Sequence, residues 1–358
     1  MTLRDIWTEA WRNFKSGVAP ALGWSFALAV VLVALVWTDV KAVGDLANEA
    51  RHFRASGGST LVVQAQGQID GPACDALART TGVRAAGAIR LVPSGLDLAA
   101  LPSAPLALYE STPGFSAVIG SGSSTAGVDM SERLSDALGV NSGDHLQLSG
   151  GTRVRVADTF TYPDDGRLST LGFAVVSPVA PLAPFDQCWF EIWPTTDSGR
   201  EISRLAVAIG APVDTEIKVV QLNSSLGAMY DGPALMASRA TSFAPWVAGV
   251  VGLALGCFSV FWRRLEFASA LHAGVARRDL VLVVTFESLL WCVATLALSS
   301  PFVAVVVVTS GGSTDTLPML GLAMGILAIA LSALTLARVG TTLLIRESSL
   351  VRYFRERR

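Results

Sequence analysis

Side chains able to do chemistry are few in this 358-residue chain, and they are scattered. The three histidines, His52, His145 and His272, stand far apart, and none has metal-ligand spacing to a cysteine or a second histidine. No G-x-S-x-G, H-E-x-x-H or C-x-x-C occurs, so a nucleophile elbow, a zincin helix and a dithiol site all lack their residues. The phosphate-cradling G-x-x-x-x-G-K-[ST] is missing too, and the only lysines are Lys15, Lys41 and Lys218. The expectation is a chain that is not itself an enzyme, holds no metal or cofactor, and binds no ATP through a Walker loop.

Four features remain. Asp164-Asp165, followed by Gly166-Arg167 in the most polar loop, could ligate a divalent cation or a partner, but the residue types favour a solvated turn held by aspartate side chains. Cys74 and Cys188 stand apart from Cys257 and Cys292, which lie in apolar runs. An isolated pair in an oxidising compartment favours a disulfide over two buried thiols. Glu287 is a lone carboxylate inside a long apolar run, a functional candidate by default. Its position near the run's start favours a bond to a neighbouring helix or a nearby arginine. The fourth feature is a basic stretch, Arg263, Arg264, Arg277 and Arg278, between two apolar runs.

Elements able to position these residues follow from composition. Charged residues are 16% of the chain against about 25% in soluble domains. The deficit lies in four runs, 18–37, 242–262, 280–308 and 317–337, each reaching the roughly 20 residues that cross about 30 Å of hydrocarbon. Only the third carries an acidic or basic side chain, Glu287, and it also holds Pro301, which suggests a kink or tilt. A signal peptide is the competing reading of the first run, but its leader is long and no small-x-small cleavage site follows Trp37.

Basic residues set the orientation. Arg4, Arg12 and Lys15 precede the first run, the loop 263–279 carries four arginines, and the tail 338–358 carries six, whereas the loop after the third run has none. Both termini are expected in the cytoplasm and residues 38–241 outside, in the plasma membrane of a bacterium. Residues 39–241 hold 14 Lys and Arg against 21 Asp and Glu, a balance of −7, and the rest hold 13 against 8, a balance of +5. An acidic outer part over a basic inner face speaks against nucleic acid as a partner. Residues 1–17 read as an amphipathic helix in the inner interface, with Trp7 and Trp11 at headgroup depth and a bend at Gly17 and Pro20.

The outer segment reads as α+β. A helical stalk over 39–54 ends at Ser56-Gly57-Gly58-Ser59. Strand 60–66, helix 70–80 capped by Asp70, and strand 83–92 make one strand–helix–strand unit. Residues 106–119 look extended, 129–138 helical, and 145–148 and 153–160 again extended. A second strand–helix–strand unit occupies 188–192, 199–209 and 216–222, and 224–239 reads as a returning stalk. The expected architecture is four transmembrane helices, one before and three after a large extracytoplasmic α+β domain with a core and an inserted β-rich lobe.

The stretch between the second and third runs resembles a known family. Arg263-Arg264-Leu265-Glu266 opens it, Gly274 stands eight residues after Glu266, and Arg277-Arg278-Asp279-Leu280 follows, with Glu287 eight residues after Asp279. This is similar to the R-R-x-E, A-L-G-A-S-R-R-Q-I and intramembrane E of the FtsX-like permease family, the membrane subunits of MacB-type (type VII) ABC transporters. Leu271 and His272 depart from that pattern, where Arg and Ala are frequent, and Val275-Ala276 replaces Ala-Ser. Ala137-Leu138-Gly139-Val140-Asn141-Ser142-Gly143-Asp144-His145-Leu146 is a family-like phrase in the outer domain, whose two-lobed form resembles the family's porter-like core with inserted lobe.

The resemblance implies that a cytoplasmic ATPase dimer, which binds the ATP, docks on the loop. Its coupling residues would be Arg263, Arg264, Glu266, Leu271, His272, Gly274, Arg277 and Arg278. It further implies a second permease subunit, identical or not, membrane lipid around the spans, and motion passed to the outer domain to extrude hydrophobic or peptide-like compounds. Two alternatives stay open: a non-transporting regulator that activates an extracellular cell-wall hydrolase or other outer protein, and an anchored receptor without an ATPase, against which the loop's spacing speaks.

Overall fold

The computed structural model describes residues 3–16, 21–122, 126–195, 198–208, 216–227, 229–311 and 316–346. Gly17 and Pro20 of the expected bend, Ile209, and Arg352, Arg355, Arg357 and Arg358 of the basic tail lie outside the described residues. In chain order the elements are α1 (Leu3–Ser16), α2 (Ala21–Ala55), β1 (Thr60–Ile69), α3 (Gly71–Ala76), β2 (Val83–Leu98), β3 (Leu101–Ser111), α4 (Phe115–Ile119), β4 (Val128–Ser131) and α5 (Glu132–Leu138). There follow β5 (His145–Gln147), β6 (Arg153–Phe160), β7 (Ala174–Pro178), β8 (Phe185–Ile192), α6 (Ser198–Ser203), β9 (Lys218–Gln221), α7 (Gly232–Ser238), α8 (Ala244–Trp262), α9 (Arg264–His272), α10 (Arg277–Gly311) and α11 (Thr316–Leu344). They fall into two compact units, 49–232 and, joined from both ends of the chain, 1–48 with 233–358.

The 49–232 unit is built on a nine-stranded mixed sheet, ordered β5-β6-β4-β7-β3-β2-β8-β1-β9. Its β9-β1-β8-β2 part interleaves the two strand–helix–strand units antiparallel, the pairing of a split ferredoxin-like βαβ fold. Period-two alternation sends neighbouring residues to opposite faces: Val63, Cys188 and Phe190 pack beneath α3, and Val62 and Trp189 pack with Phe115 and Phe160 on the other side. Asp70 caps α3 by accepting from Ala73 N at 2.9 Å, with Pro72 in the first turn. The inserted strands do not form a separate sheet, because β3 pairs along β2 and carries the ladder on to β7, β4 and β6.

Several expected elements differ. Residues 115–119 are helical, because Pro113-Gly114 turns the chain after β3. Asp129 lies on a fully buried strand, not in a helix, since Val128 and Met130 fill the core beside Val156 and Val175. Strand β7 was not expected from the sequence; its short apolar run Ala174-Val175-Val176 has no alternation to mark it. The returning stalk over 224–239 is reduced to α7, seven residues long. Gly227 at φ 95° and Pro233 break its helical pattern.

The other unit is helical. Among the described residues it holds four helices long and apolar enough to cross a membrane, Leu22–Ala55, Ala240–Trp262, Arg277–Ser310 and Thr316–Leu344, the first running on into residues 49–55. Helices α8 and α11 approach most closely. Ala244, Ala248, Gly252 and Gly256 recur every fourth residue on the buried face of α8, and a Cβ at Gly252 would stand 2.2 Å from Ala330 O. Small residues let the two backbones meet where no hydrophobic force would press them together. Leu28, Leu32 and Val36 of α2 and Trp291 of α10 complete the core. Near its far end the buried Asp39 accepts from Arg239 Nε at 3.0 Å.

Candidate functional site

Helix α8 stops at Arg263, whose φ −96° and ψ 11° end one helix and begin the next. Its side chain turns inward and is 6% exposed. Nε and Nη2 donate to the two carboxylate oxygens of Glu266, at 2.8 and 2.6 Å, and Nη1 donates to Glu287 Oε2 at 2.8 Å. Burial lowers the affinity of Arg263 for its proton, but the two carboxylates more than reverse this, so it stays charged.

Glu287 is 2% exposed and bonded at both oxygens. Oε2 also accepts from Arg338 Nη2 at 2.8 Å, and Oε1 accepts from Asn13 Nδ2 at 2.9 Å. The Arg338 guanidinium lies over the Trp291 ring, 4.3 Å from its centroid, and that of Arg263 lies 4.8 Å from the Phe267 centroid. A buried carboxylate persists only where charge and hydrogen bonds compensate its lost hydration. Two arginines and two glutamates here cancel, and they tie α1, α9, α10 and α11 to one point.

The outward side of the loop is different. Gly274 has φ 90°, and the bonds Gly274 N to Leu271 O and Val275 N to Ala270 O close α9 in a Schellman turn. Gly274 is therefore required by the turn whatever touches it. His272, Gly274, Arg277 and Arg278 are exposed, and Glu266 is exposed on the flank of α9. Arg264 is half-buried over Phe261, 4.2 Å from the ring centroid, and Leu271 packs partly against Phe267, Leu280 and Ile345. Arg277 Nη2 donates to Ile345 O at 3.3 Å.

The sequence-based set thus divides. Arg263 and Glu287 come together inside, with the exposed Glu266 bonded to Arg263 from the flank of α9; His272, Gly274, Arg277 and Arg278 make an outward tip. Asn13 and Arg338 were missed. Arg338 was counted as the first residue of a basic tail, although Leu327, Leu331, Leu334, Arg338 and Thr342 continue one helical stripe, and all five are buried. Helix α1 packs Ile6 and Ala10 against Val283 and sets Trp7 edge-on to Phe286 at 5.8 Å. Trp7 and Trp11 stack 6.2 Å apart on its exposed side.

In the sheet unit, Cys74 and Cys188 form a disulfide with Cα atoms 5.9 Å apart, joining α3 to β8. The Asp164-Asp165 loop is held from within: Arg167 donates to Asp165 Oδ1 and Oδ2 at 2.9 and 2.7 Å and to Ala55 O at 3.1 Å. That bond to Arg167 depresses the Asp165 pKa below 3.8. Asp164 points to solvent, 3.8 Å from Arg133. Among the described residues no group of three His, Cys, Asp or Glu side chains could hold a metal ion.

No protein-family model and no curated protein matches the sequence. Among solved structures the chain is similar to the periplasmic region of MacB from Actinobacillus actinomycetemcomitans, with 11% sequence identity and a TM-score of 0.34, over 47% of this chain and 91% of that one.

Proposed function

We propose that this chain is the membrane subunit of an ABC transporter of the FtsX-like, MacB-type kind. The observation that carries the reading is the division of the 263–279 loop. Its inward residues are locked to the helical unit through Glu287, and its outward tip is basic, short and turned by Gly274. A force applied at such a tip reaches α10, α11 and α1 through one buried charge cluster. Tryptophans sit exposed at both ends of α8, Trp246 and Trp262, roughly 24 Å apart at helical rise, which suits the two interfaces of a bilayer.

In this reading four helices cross the plasma membrane of a bacterium, both termini are cytoplasmic, and residues 39–241 are outside. A cytoplasmic ATPase dimer binds ATP and docks at His272, Arg277 and Arg278. A second permease subunit completes the complex, and the outer domain acts on hydrophobic or peptide-like compounds. The test is purification of the tagged chain from native membranes in mild detergent. Retained ATPase activity is expected with the wild type and lost with the double variant Arg277→Glu, Arg278→Glu. Equal activity retained with both, at unchanged thermal stability, would overturn the docking.

A further inference from the structure

We propose that Glu287 is exchanged between two arginines, and that Arg338 is the positioning residue that lets α9 leave its seat. The proposal rests on the reading above only in naming an ATPase as what moves α9.

Arg263 is divided in its bonding. It holds Glu266 of α9 by two parallel bonds and Glu287 of α10 by one. The pair on α9 sets two parallel bonds against one, so an α9 that moves takes Arg263 with it. Breaking a buried ion pair is ordinarily prohibitive, because one charge is stranded without a partner. Here a second guanidinium is already in place.

Arg338 is 1% exposed and donates one bond, from Nη2 to Glu287 Oε2. Its Nε and Nη1 are buried and have no hydrogen-bond partner among the described residues. Donors left idle inside a protein are costly, and a guanidinium that only braced the bundle would have them satisfied. Either of them makes, with the bonded Nη2, a fork able to take both oxygens of one carboxylate. Once Arg263 departs, Arg338 can hold Glu287 by two bonds. The four charges then separate into two neutral pairs, Arg263 with Glu266 on the moving helix and Arg338 with Glu287 in the bundle. Neither arrangement strands a charge. The apolar hold on α9 is one cluster, Phe267 and Ala268 with the half-buried Leu271 against Val260, Leu280, Val284 and Ile345.

The experiment measures the distance between spin labels at Ser269→Cys and Leu336→Cys, both exposed positions, in the full chain in lipid nanodiscs. Cys257 and Cys292 are replaced by alanine, and no ATPase is present. Arg263→Met is expected to raise the longer-distance, released population. Arg338→Met is expected to lower it by at least about fivefold relative to the same protein with Arg338, because release would then strand Glu287. Arg338→Lys, which keeps the charge and loses the fork, should move it the same way, and it carries the test where Arg338→Met does not fold. A brace predicts the opposite sign, a looser α9. A released population that rises or stays unchanged in the Arg338 variants overturns the proposal. A positive result with no ATPase recovered from native membranes would instead sink the docking reading alone.

Discussion

Arg263 Nη1 and Glu287 Oε2 meet at 2.8 Å although the two residues belong to different helices and lie 24 positions apart. The contact makes the carboxylate of the long apolar helix α10 part of the loop's own structure. It follows that Glu287→Ala leaves Arg263 and Arg338 as buried cations with one counter-ion between them. Breaking a buried pair in this way costs about 3–5 kcal/mol. Thermal unfolding in nanodiscs should show that loss, and a stability within about 0.5 kcal/mol of wild type would contradict it.

Helices α8 and α11 offer a cleaner steric case. A Cβ on Gly252 would stand 2.2 Å from Ala330 O, whereas one on Gly321 would have nothing within 4 Å. Gly252→Ala should therefore destabilise by about 1–3 kcal/mol as the backbones are forced apart. Gly321→Ala should be nearly neutral or slightly stabilising, since alanine is the better helix former. Equal effects from the two substitutions, read by thermal unfolding, would mean that this face of α8 does not set the packing.

How far this could be read beforehand depended on how local each signal was. The four apolar helices are stated by run length alone, and Asp70 with Pro72 marks the start of α3. The loop motif placed Arg263, Glu266 and Glu287 at the right spacing to share one site. Arg338 and Asn13 escaped because their roles exist only in three dimensions. One was absorbed into a count of basic residues and the other into an amphipathic face. Strand β7 escaped for a related reason: buried on both sides, it has neither alternation nor a turn signal of its own. Asp129 was misplaced because Val128 and Met130, whose burial defines β4, resemble the start of the helix that follows them.

The disulfide can be tested by charge-independent means. Cys74 and Cys188 close a chain segment of 114 residues. In the chain-entropy model a loop of that size is worth about 4–5 kcal/mol. The wild type should migrate faster on a non-reducing gel than after reduction, and Cys74→Ser should show the slower mobility under both conditions. Cleavage of residues 49–232 at the same protease concentration with and without reductant would remove the stabilising role while leaving the bridge itself intact.

Acid should act on the sheet unit in two opposite ways. Asp129 is buried on β4 in register with Asp158 on β6, and it accepts from Ser121 Oγ at 2.8 Å. Burial raises its pKa above 3.8, and the neighbouring Asp158 raises it further against the lowering effect of Ser121. Between 3.8 and that raised value the unfolded chain has ionised while the folded one keeps its proton. Stability therefore falls as pH rises through this window and is regained on acidification from neutrality. Asp165 behaves in reverse: its Arg167-paired carboxylate stabilises above 3.8, and that contribution disappears as pH drops through the depressed folded value. Asp129→Asn should reduce the gain on mild acidification, leaving the share of Asp75, whose carboxyl pKa is also raised by burial, and should leave the loss at lower pH. Asp165→Asn should reduce the loss and leave the gain. Proteolysis rates of residues 49–232 in the full chain, followed from neutral pH downward, read both limbs. An unchanged pH profile in Asp129→Asn would mean that this carboxyl ionises alike in the folded and unfolded chain.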